Sequence, residues 1–385
     1  MRVKKLAIDL TWVRHGIVGG TELFACNILE GFLRYLVEHP GTVQIFLFTA
    51  KDNIEVFKRF HHPEVGMKCI KCNTDSADRK VRVLWQNLKM RKTLKYFDID
   101  TVLEPIYYKP FWGTKGIRYF TVIHDLQGWH YPQYFSKLRV LWMKFCWKYS
   151  VRSSEFVVAT TDFVRSDIID KTGCSGNKVV TIPIPIVIDR TATCVDILQK
   201  YGLKKRKYYY TVSSMLPHKN LVTLIKGLAI LKRKNSGAFY PLVISGVGEV
   251  TKELSRVIVS ENLSEDILLT GFISDPDRNL LYRECKAFLF PSIFEGFGMP
   301  PVEAMALGVP VVTTEKTSLK EVTGGLACYV EDALDPEAWA TTLELEPGAA
   351  DKEAVNSLMR KYDSRVVADC YMKLIFDDRH CDDRR

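Results

Sequence analysis

Phe288-Leu-Phe-Pro-Ser-Ile-Phe-Glu295-Gly296-Phe297-Gly298-Met299-Pro300-Pro301-Val302-Glu303-Ala-Met-Ala-Leu-Gly308-Val-Pro310-Val-Val reads as four pieces in a row. An apolar strand runs into a loop with an acid between small residues, then into a short helix, then into a second apolar run. Pro301 suits the first helical position and Gly308 the stop after the last turn. Strand, helix and strand in that order are the unit of α/β folds with parallel sheets. Gly296 and Gly298 permit positive φ angles and a close approach of ligand to backbone. The free N–H groups and positive end of the helix then form an anion site. Glu295 lies on the loop and Glu303 is expected in the first helical turn. Helix-start electrostatics, worth about 0.3–1 kcal/mol, accounts for Glu303. It cannot account for Glu295, outside the helix among aromatic and glycine residues, so the pair is read as functional.

The same alternation extends in both directions. Strand-like runs are Lys5–Leu10, Val43–Phe48, Thr101–Leu103, Tyr119–Ile123, Phe156–Thr160 and Val179–Ile182, then Tyr208–Val212, Leu242–Ser245, Ile267–Thr270, Ala287–Phe290, Val309–Thr313 and Ala327–Val330. Amphipathic segments such as Glu22–Leu36, Leu84–Tyr96 and Lys137–Val151 lie between the earlier ones. Ile182-Pro183-Ile184-Pro185-Ile186 interrupts the pattern, and prolines two apart prevent regular structure, so the domain boundary is placed near residues 183–205. At about 150 residues per domain, 385 residues also predict two domains or three. The expected fold is two tandem Rossmann-like, doubly wound parallel-sheet domains facing a central cleft, where such sheets bind ligands.

Apolar residues at 47% and charged residues at 26% exclude a disordered or fibrous chain. The net charge of +9 favours an anionic partner: nucleic acid, anionic lipid or a phosphorylated small molecule. No run approaches the ~18–20 apolar residues of a membrane span. Asp9 comes too early for a signal peptide. The ten cysteines are scattered, and Cys69-Ile70-Lys71-Cys72 has no second pair to complete a zinc site, so strand packing is the expected use. Together these predict a reduced, cytoplasmic protein.

Glu295-x7-Glu303, inside Glu-Gly-Phe-Gly-x-Pro and Glu-Ala-Met-Ala-x-Gly-x-Pro, strongly resembles the retaining glycosyltransferases of family 4, which have the GT-B fold. Leu269-Thr-Gly271-Phe272-Ile-Ser274-Asp275 through Leu281-Tyr282 is similar to the family's nucleotide-base segment, and Ser318-Leu-Lys-Glu321-Val-Thr-Gly324-Gly325 to its following turn. The resemblance implies that Glu295 contacts the donor sugar and Glu303 the nucleotide ribose. Gly296, Phe297, Gly298 and Met299 would cradle sugar and phosphate, while Gly271 and Phe272 would lie at the nucleotide. It also implies that a last helix, in 364–385, crosses back onto a first domain of residues 1–185. The second domain is then 205–363, with a linker at 186–204.

Three further loops fit this reading. Val212-Ser213-Ser214-Met215-Leu216-Pro217-His218-Lys219-Asn220 joins a strand to a helix, with Asn220 a plausible N-cap. A lysine is normally solvated, but one above the sheet is placed to meet a diphosphate as a point charge. The family carries a phosphate-binding Lys at such a Lys-Asn, which makes Lys219 a donor contact beside Ser214. Many members have an Arg where this chain has Ser213 or His218, so half of the cationic clamp is missing or replaced. His124 ends strand Tyr119–Ile123 in His124-Asp125-Leu126-Gln127. A lone histidine is more often structural, but the family has a His-Asp of this kind beside the donor sugar, and His124 is read as a catalytic-site contact with Glu295. Gly16-Ile-Val-Gly19-Gly20 is not the dinucleotide fingerprint and could be a simple turn. In the family such a Gly-Gly loop covers the donor phosphates, so Gly19 and Gly20 join the donor site. Gly246-Val-Gly248 is a similar loop, read equally well as a turn.

Asp98-Ile99-Asp100 has the form used by metal-dependent transferases of another fold, but it precedes a strand and is read as a polar turn. Asp275-Pro276-Asp277 is read as a helix start. Lys137–Arg152 holds five Lys/Arg and no acid, interleaved with Trp142, Phe145, Trp147 and Tyr149, and residues 79–95 are likewise basic. A packed helix with solvated lysines explains this as well as an anionic membrane surface does. No recognition motif supports nucleic-acid binding.

The resulting expectation is a retaining hexosyltransferase of polysaccharide biosynthesis. It would use a nucleotide-diphosphate sugar, no obligatory metal and no other cofactor, with a glycan or polyprenyl-linked acceptor, in the cytoplasm and peripherally at the inner membrane face. His-Asp-Leu-Gln and Pro-His-Lys-Asn resemble segments of bacterial mannosyl-, rhamnosyl- and glucosyltransferases, which favours GDP-mannose. A nucleotide-sugar epimerase of the same architecture, a glycosidase with paired carboxylates, and a non-catalytic nucleotide- or membrane-binding relative are the alternatives.

Overall fold

The computed structural model describes residues 3–16, 19–112, 115–188, 196–234 and 239–376. The chain divides into two units, Met1–Pro185 with Lys361–Arg385, and Ile186–Arg360. Each is built on one wholly parallel sheet.

The first sheet contains β1 (Lys4–Asp9), β2 (Val43–Thr49), β3 (Met67–Lys71), β4 (Thr101–Glu104), β5 (Arg118–Ile123), β6 (Phe156–Ala159) and β7 (Val179–Thr181), in the order β3-β2-β1-β4-β5-β6-β7. The second contains β8 (Tyr209–Val212), β9 (Leu242–Ser245), β10 (Ile267–Gly271), β11 (Ala287–Phe290), β12 (Val311–Thr313) and β13 (Cys328–Tyr329), in the order β10-β9-β8-β11-β12-β13. Strands buried on both faces must be apolar at every position, which is why they appear in the sequence as continuous runs rather than alternations. Successive residues divide between the two faces of the sheet. In the second unit Leu242, Ile244 and Leu289 pack with Leu224, Leu228 and Trp339. Their neighbours Val243, Phe288 and Phe290 pack on the opposite side with Tyr282, Ala304 and Met305. In each sheet the chain reverses its direction of growth once, between β1 and β4 and between β8 and β11, and the loops at such a switch point are where ligands bind.

β3 was not among the strand-like runs, although strand packing was the expected use of Cys69 and Cys72. Cys69 and Cys72 lie in it and just after it, where burial pushes the Cys69 thiol up to about 11 and the Cys72 thiol higher still. They are packing groups there, not thiolates. The segment expected as one helix over Leu84–Tyr96 is two, Arg79–Leu88 and Met90–Tyr96, meeting at Lys89. Asp98 adopts φ 56° in the turn before β4, and Asp275 begins helix Asp275–Glu284 after the Ser274 cap, as polar turn and helix start.

The stretch from Ile182 to Ile188 has no regular structure. Residues 189–195 of the expected linker lie outside the described residues. Asp196–Lys200, also expected in the linker, is a short helix whose Ile197 and Leu198 are buried in the second unit's core, because two adjacent apolar side chains there are better covered than exposed. Helix Ser364–Phe376 packs on helix Gly20–Glu38 of the first unit. Phe32 and Tyr371 meet edge to face at 6.0 Å, Arg365 pairs with Glu38, and Lys4 Nζ donates to the Phe376 carbonyl at 2.7 Å. Residues 377–385 lie outside the described residues. No helix among the described residues is long and apolar enough to cross a membrane.

Candidate functional site

The loops following β8 and β11, adjacent strands at the second sheet's switch point, are tied to each other by the main chain. The His218 carbonyl accepts from the Ile293 amide at 2.9 Å and from Ser292 Oγ at 3.3 Å. This fixes Lys219, in the turn Pro217–Lys219, against Glu295. Lys219 Nζ stands 2.5 Å from Glu295 Oε1, with the two side chains only 19% and 14% exposed. Lys219 also lies over the Phe290 ring, 5.7 Å from its centre. Two residues 76 apart in sequence thus form one ion pair at the carboxyl end of the sheet.

The acid loop is held from below. Ser318 Oγ donates to the Glu295 and Phe297 carbonyls at 3.0 Å each, and the Glu295 amide donates to Thr317 Oγ1 at 3.0 Å. Gly298 adopts φ 88°, and a Cβ there would come within 2.7 Å of Leu319 Cδ2, so no other residue fits without displacing a buried leucine. Gly296 does not use the positive φ open to it. The helix is Met299–Ala306, two residues earlier than Pro301 suggested. Pro300 and Pro301 occupy its second and third positions and lack N–H groups, so the anion-binding donors are confined to the backbone around Gly298 and Met299.

That earlier start moves Glu303 out of the first turn and into the second. It is buried, accepts from the Tyr282 hydroxyl at 3.2 Å, and feels the charge of Arg278; burial nonetheless raises its pKa. Tyr282 and Arg278 sit four apart on one face of helix Asp275–Glu284, a spacing visible in the sequence but not used above. Gly271 ends β10 at φ 70°, and the Phe272 ring after it is 75% exposed. A Cβ on Gly248 would lie 3.5 Å from that ring, and Gly246, at φ 83°, leaves no room for a side chain against the Ser213 carbonyl. Ser214 is half-buried, its carbonyl accepting from Ser213 Oγ at 3.1 Å. Asn220 is left-handed, φ 54°, where an N-cap is normally extended. Its side chain donates to the Ala333 carbonyl and accepts from Thr223 Oγ1.

His218 is not a second cation. Burial, aided by the adjacent Lys219, pushes its pKa down to about 4, so the ring is neutral near pH 7. The unfolded chain takes a proton on this ring below its ordinary value of 6.5, whereas the folded chain refuses it until about 4. Acidification through that window therefore favours unfolding. Between about pH 7 and pH 5 the melting temperature of the natural chain should fall by several degrees relative to a His218→Asn variant. Thermal melts across that range check this, and parallel curves would contradict it.

In the first unit, Gly19 (φ 59°) precedes helix Gly20–Glu38, and the Glu22 carboxylate closes the loop onto His15 Nδ1 at 2.6 Å and the Gly16 amide at 2.9 Å. His124 follows β5. Its Nε2 lies 2.8 Å from the Pro105 carbonyl, which can only accept, so the proton sits on Nε2. Burial holds its pKa near 4, and Phe24 of helix Gly20–Glu38 contacts it edge-on at 4.7 Å. His124 is thus a neutral imidazole with its Nδ1 lone pair unprotonated. Gly19, Gly20 and His124 belong to this unit; Ser214, Lys219, Gly271, Phe272, Glu295 to Met299 and Glu303 belong to the other.

The family model for "Glycosyl transferases group 1" matches residues 196–345, and that for "Glycosyltransferase Family 4" matches residues 18–190. An O-antigen chain mannosyltransferase B of Escherichia coli is 33% identical over 57% of this chain and 59% of its own length. The O-antigen chain mannosyltransferase RfbU of Salmonella typhimurium is 24% identical over 82% of this chain and 86% of its own. A glycosyltransferase from Rickettsia africae superimposes with a TM-score of 0.71 at 14% identity, covering 99% of both chains. Anabaena Alr3699/HepE, solved with UDP, gives 0.69 at 17% identity, over 97% of this chain and 99% of that one. These solved structures share its GT-B fold.

Proposed function

The chain belongs to the family 4 glycosyltransferases, and from that premise we propose that it moves a hexose from a nucleotide-diphosphate sugar to a hydroxyl of a glycan or lipid-linked acceptor, with retention at the anomeric carbon. The observation that carries this reading is the Lys219–Glu295 pair, set at a switch point beside the backbone of Gly298 and Met299. A diphosphate entering beside Lys219 offers the ammonium a stronger anion and frees the Glu295 carboxylate to accept from sugar hydroxyls. Glu303 takes the ribose hydroxyls, and the exposed Phe272 ring with Gly271 flanks the base. The bond from the anomeric carbon to the bridging phosphate oxygen breaks, and its electrons leave with the diphosphate. Lys219 and the Gly298–Met299 backbone bear that charge, an arrangement made before the reaction begins. The acceptor oxygen bonds to the same face of the sugar, and its proton passes to the departing phosphate. Neutral His124 contacts the sugar from the first unit, with Gly19 and Gly20 near the phosphates.

Relatives named as O-antigen mannosyltransferases support mannose as the sugar and surface polysaccharide as the product. We assign no part of the leaving-group charge to a metal. The basic, aromatic face of residues 79–95 and 137–152 is assigned to an anionic membrane surface at the cytoplasmic side. Nucleotide release, measured over a panel of nucleotide sugars with glycan and lipid-phosphate acceptors in excess EDTA, tests the reading. Acceptor-dependent release from GDP-mannose is expected. Release from no donor would overturn the transfer, and release restored only by added divalent cation would overturn its independence of metal.

A further inference from the structure

Helix Arg79–Leu88 and helix Lys137–Ser153 of the first unit leave a cavity of about 540 Å³ between them. Val83, Leu84, Trp112 and Trp142 form its walls, and Arg79 and Lys80 stand at it as cations. That volume falls in the range of about 300–1,000 Å³ usual for small-ligand sites. The walls are built, not incidental. Buried Asn87 accepts from the Phe111 and Trp112 amides at 2.7 and 3.2 Å and donates to the Tyr108 hydroxyl at 2.8 Å, which fixes the loop that presents Trp112. Trp142 packs on Tyr108 and Phe111, and the Arg79 guanidinium lies 5.5 Å from its ring. Yet Trp112 remains 65% exposed and Leu84 58%. Beside the cavity, Leu138, Leu141 and Phe145 form an exposed apolar stripe at helical spacing.

The stretches 79–97 and 137–153 contain no acid. An apolar slot with Arg79 and Lys80 at it is complementary to one kind of ligand, a hydrocarbon chain bearing a phosphate. The slot also lies at the end of the first sheet where parallel sheets take ligands. Helix Arg79–Leu88 and the loop through Trp112 follow β3 and β4, so both stand at the carboxyl end of the first sheet.

We propose that this slot takes the hydrocarbon chain of a phosphorylated lipid acceptor, with Arg79 and Lys80 on its phosphate. The proposal rests on the transferase reading above and names the class of acceptor. A single buried chain gives only marginal membrane binding, and the basic helices supply the second attraction that makes it stable.

Calorimetry of the full chain with farnesyl phosphate below its micelle concentration tests this, with dodecyl phosphate, farnesol and inorganic phosphate for comparison. Binding of farnesyl phosphate is expected, weaker binding of farnesol, and none of inorganic phosphate. Val83→Trp fills the slot. Leu84→Glu puts an acid at its wall from a side chain exposed enough to leave the fold intact. Each should weaken farnesyl phosphate about tenfold or more while nucleotide binding is unchanged. Preference for farnesyl over dodecyl phosphate makes the chain an isoprenoid, and equal affinity makes it any lipid tail; both support the slot. Undiminished binding in both variants would overturn it. So would no binding by the natural chain while phosphatidylglycerol vesicles, but not phosphatidylcholine ones, still float it, since that is surface docking alone. Transfer to a water-soluble glycan acceptor in the same variants keeps the two readings apart: it persists if only the slot is wrong.

Discussion

Lys219→Ala should lower kcat/KM for sugar transfer by a factor of about 10²–10³, the usual effect of removing one preorganised group from a developing oxyanion. Two consequences of the geometry make the effect large. With His218 neutral, the leaving diphosphate meets one cation from this loop rather than two. The Glu295 carboxylate, 14% exposed, also loses its partner and is left desolvated and unpaired. Glu295→Gln should cost a comparable factor by a different route, since it keeps the shape of the side chain but weakens acceptance from sugar hydroxyls. Because the two residues act as one unit, the double variant should lose much less than the product of the two single effects. Steady-state kinetics on the four proteins, with nucleotide affinity measured separately, checks this. Multiplying effects would mean that the two side chains act independently, and a natural rate in either single variant would remove the pair from the mechanism.

Gly31→Ala should destabilise the first unit by about 2 kcal/mol, a balance of two opposed effects. In the middle of helix Gly20–Glu38 an alanine is favoured over glycine by roughly 1 kcal/mol. Against that, its Cβ would lie 2.1 Å from the Ser364 carbonyl oxygen and 2.8 Å from its carbon. The obstacle is backbone, which cannot turn aside as a side-chain tip can, so helix Ser364–Phe376 must lift away; overpacking costs about 1–3 kcal/mol, and so close an approach to backbone puts this case at the upper end, about 3 kcal/mol. Overlap wins over propensity, and at about 2–4 °C per kcal/mol the melting temperature should fall by roughly 4–8 °C. A thermal melt decides it, and a stabilised variant would mean that the C-terminal helix docks more loosely than the structure shows.

Elements that depend on local pattern were legible in the sequence. Leu242–Ser245 and Ala287–Phe290 were located to the residue, since buried parallel strands are continuous apolar runs between breakers. Met67–Lys71 was not, because two lysines dilute its apolar character at the sheet edge. The break at Lys89 has no proline or glycine to announce it. Helix Met299–Ala306 starts at Gly298 because the left-handed glycine turns the chain there, whereas the pair of prolines pointed two residues later. That small shift changed the physics of Glu303, from a helix-start charge to a buried carboxylate bonded by Tyr282 within the field of Arg278. The contact between Lys219 and Glu295 could not be read locally at all; it follows from β8 and β11 being neighbours, a matter of topology.

The docking of helix Ser364–Phe376 on helix Gly20–Glu38 also sets an order of assembly. During synthesis the first 185 residues leave the ribosome long before the segment that covers Phe32 and Gly31 exists. The second unit, contiguous over residues 186–360, is complete earlier. The unit begun first is therefore finished last, with an apolar helix face exposed until residues 364–376 have been made.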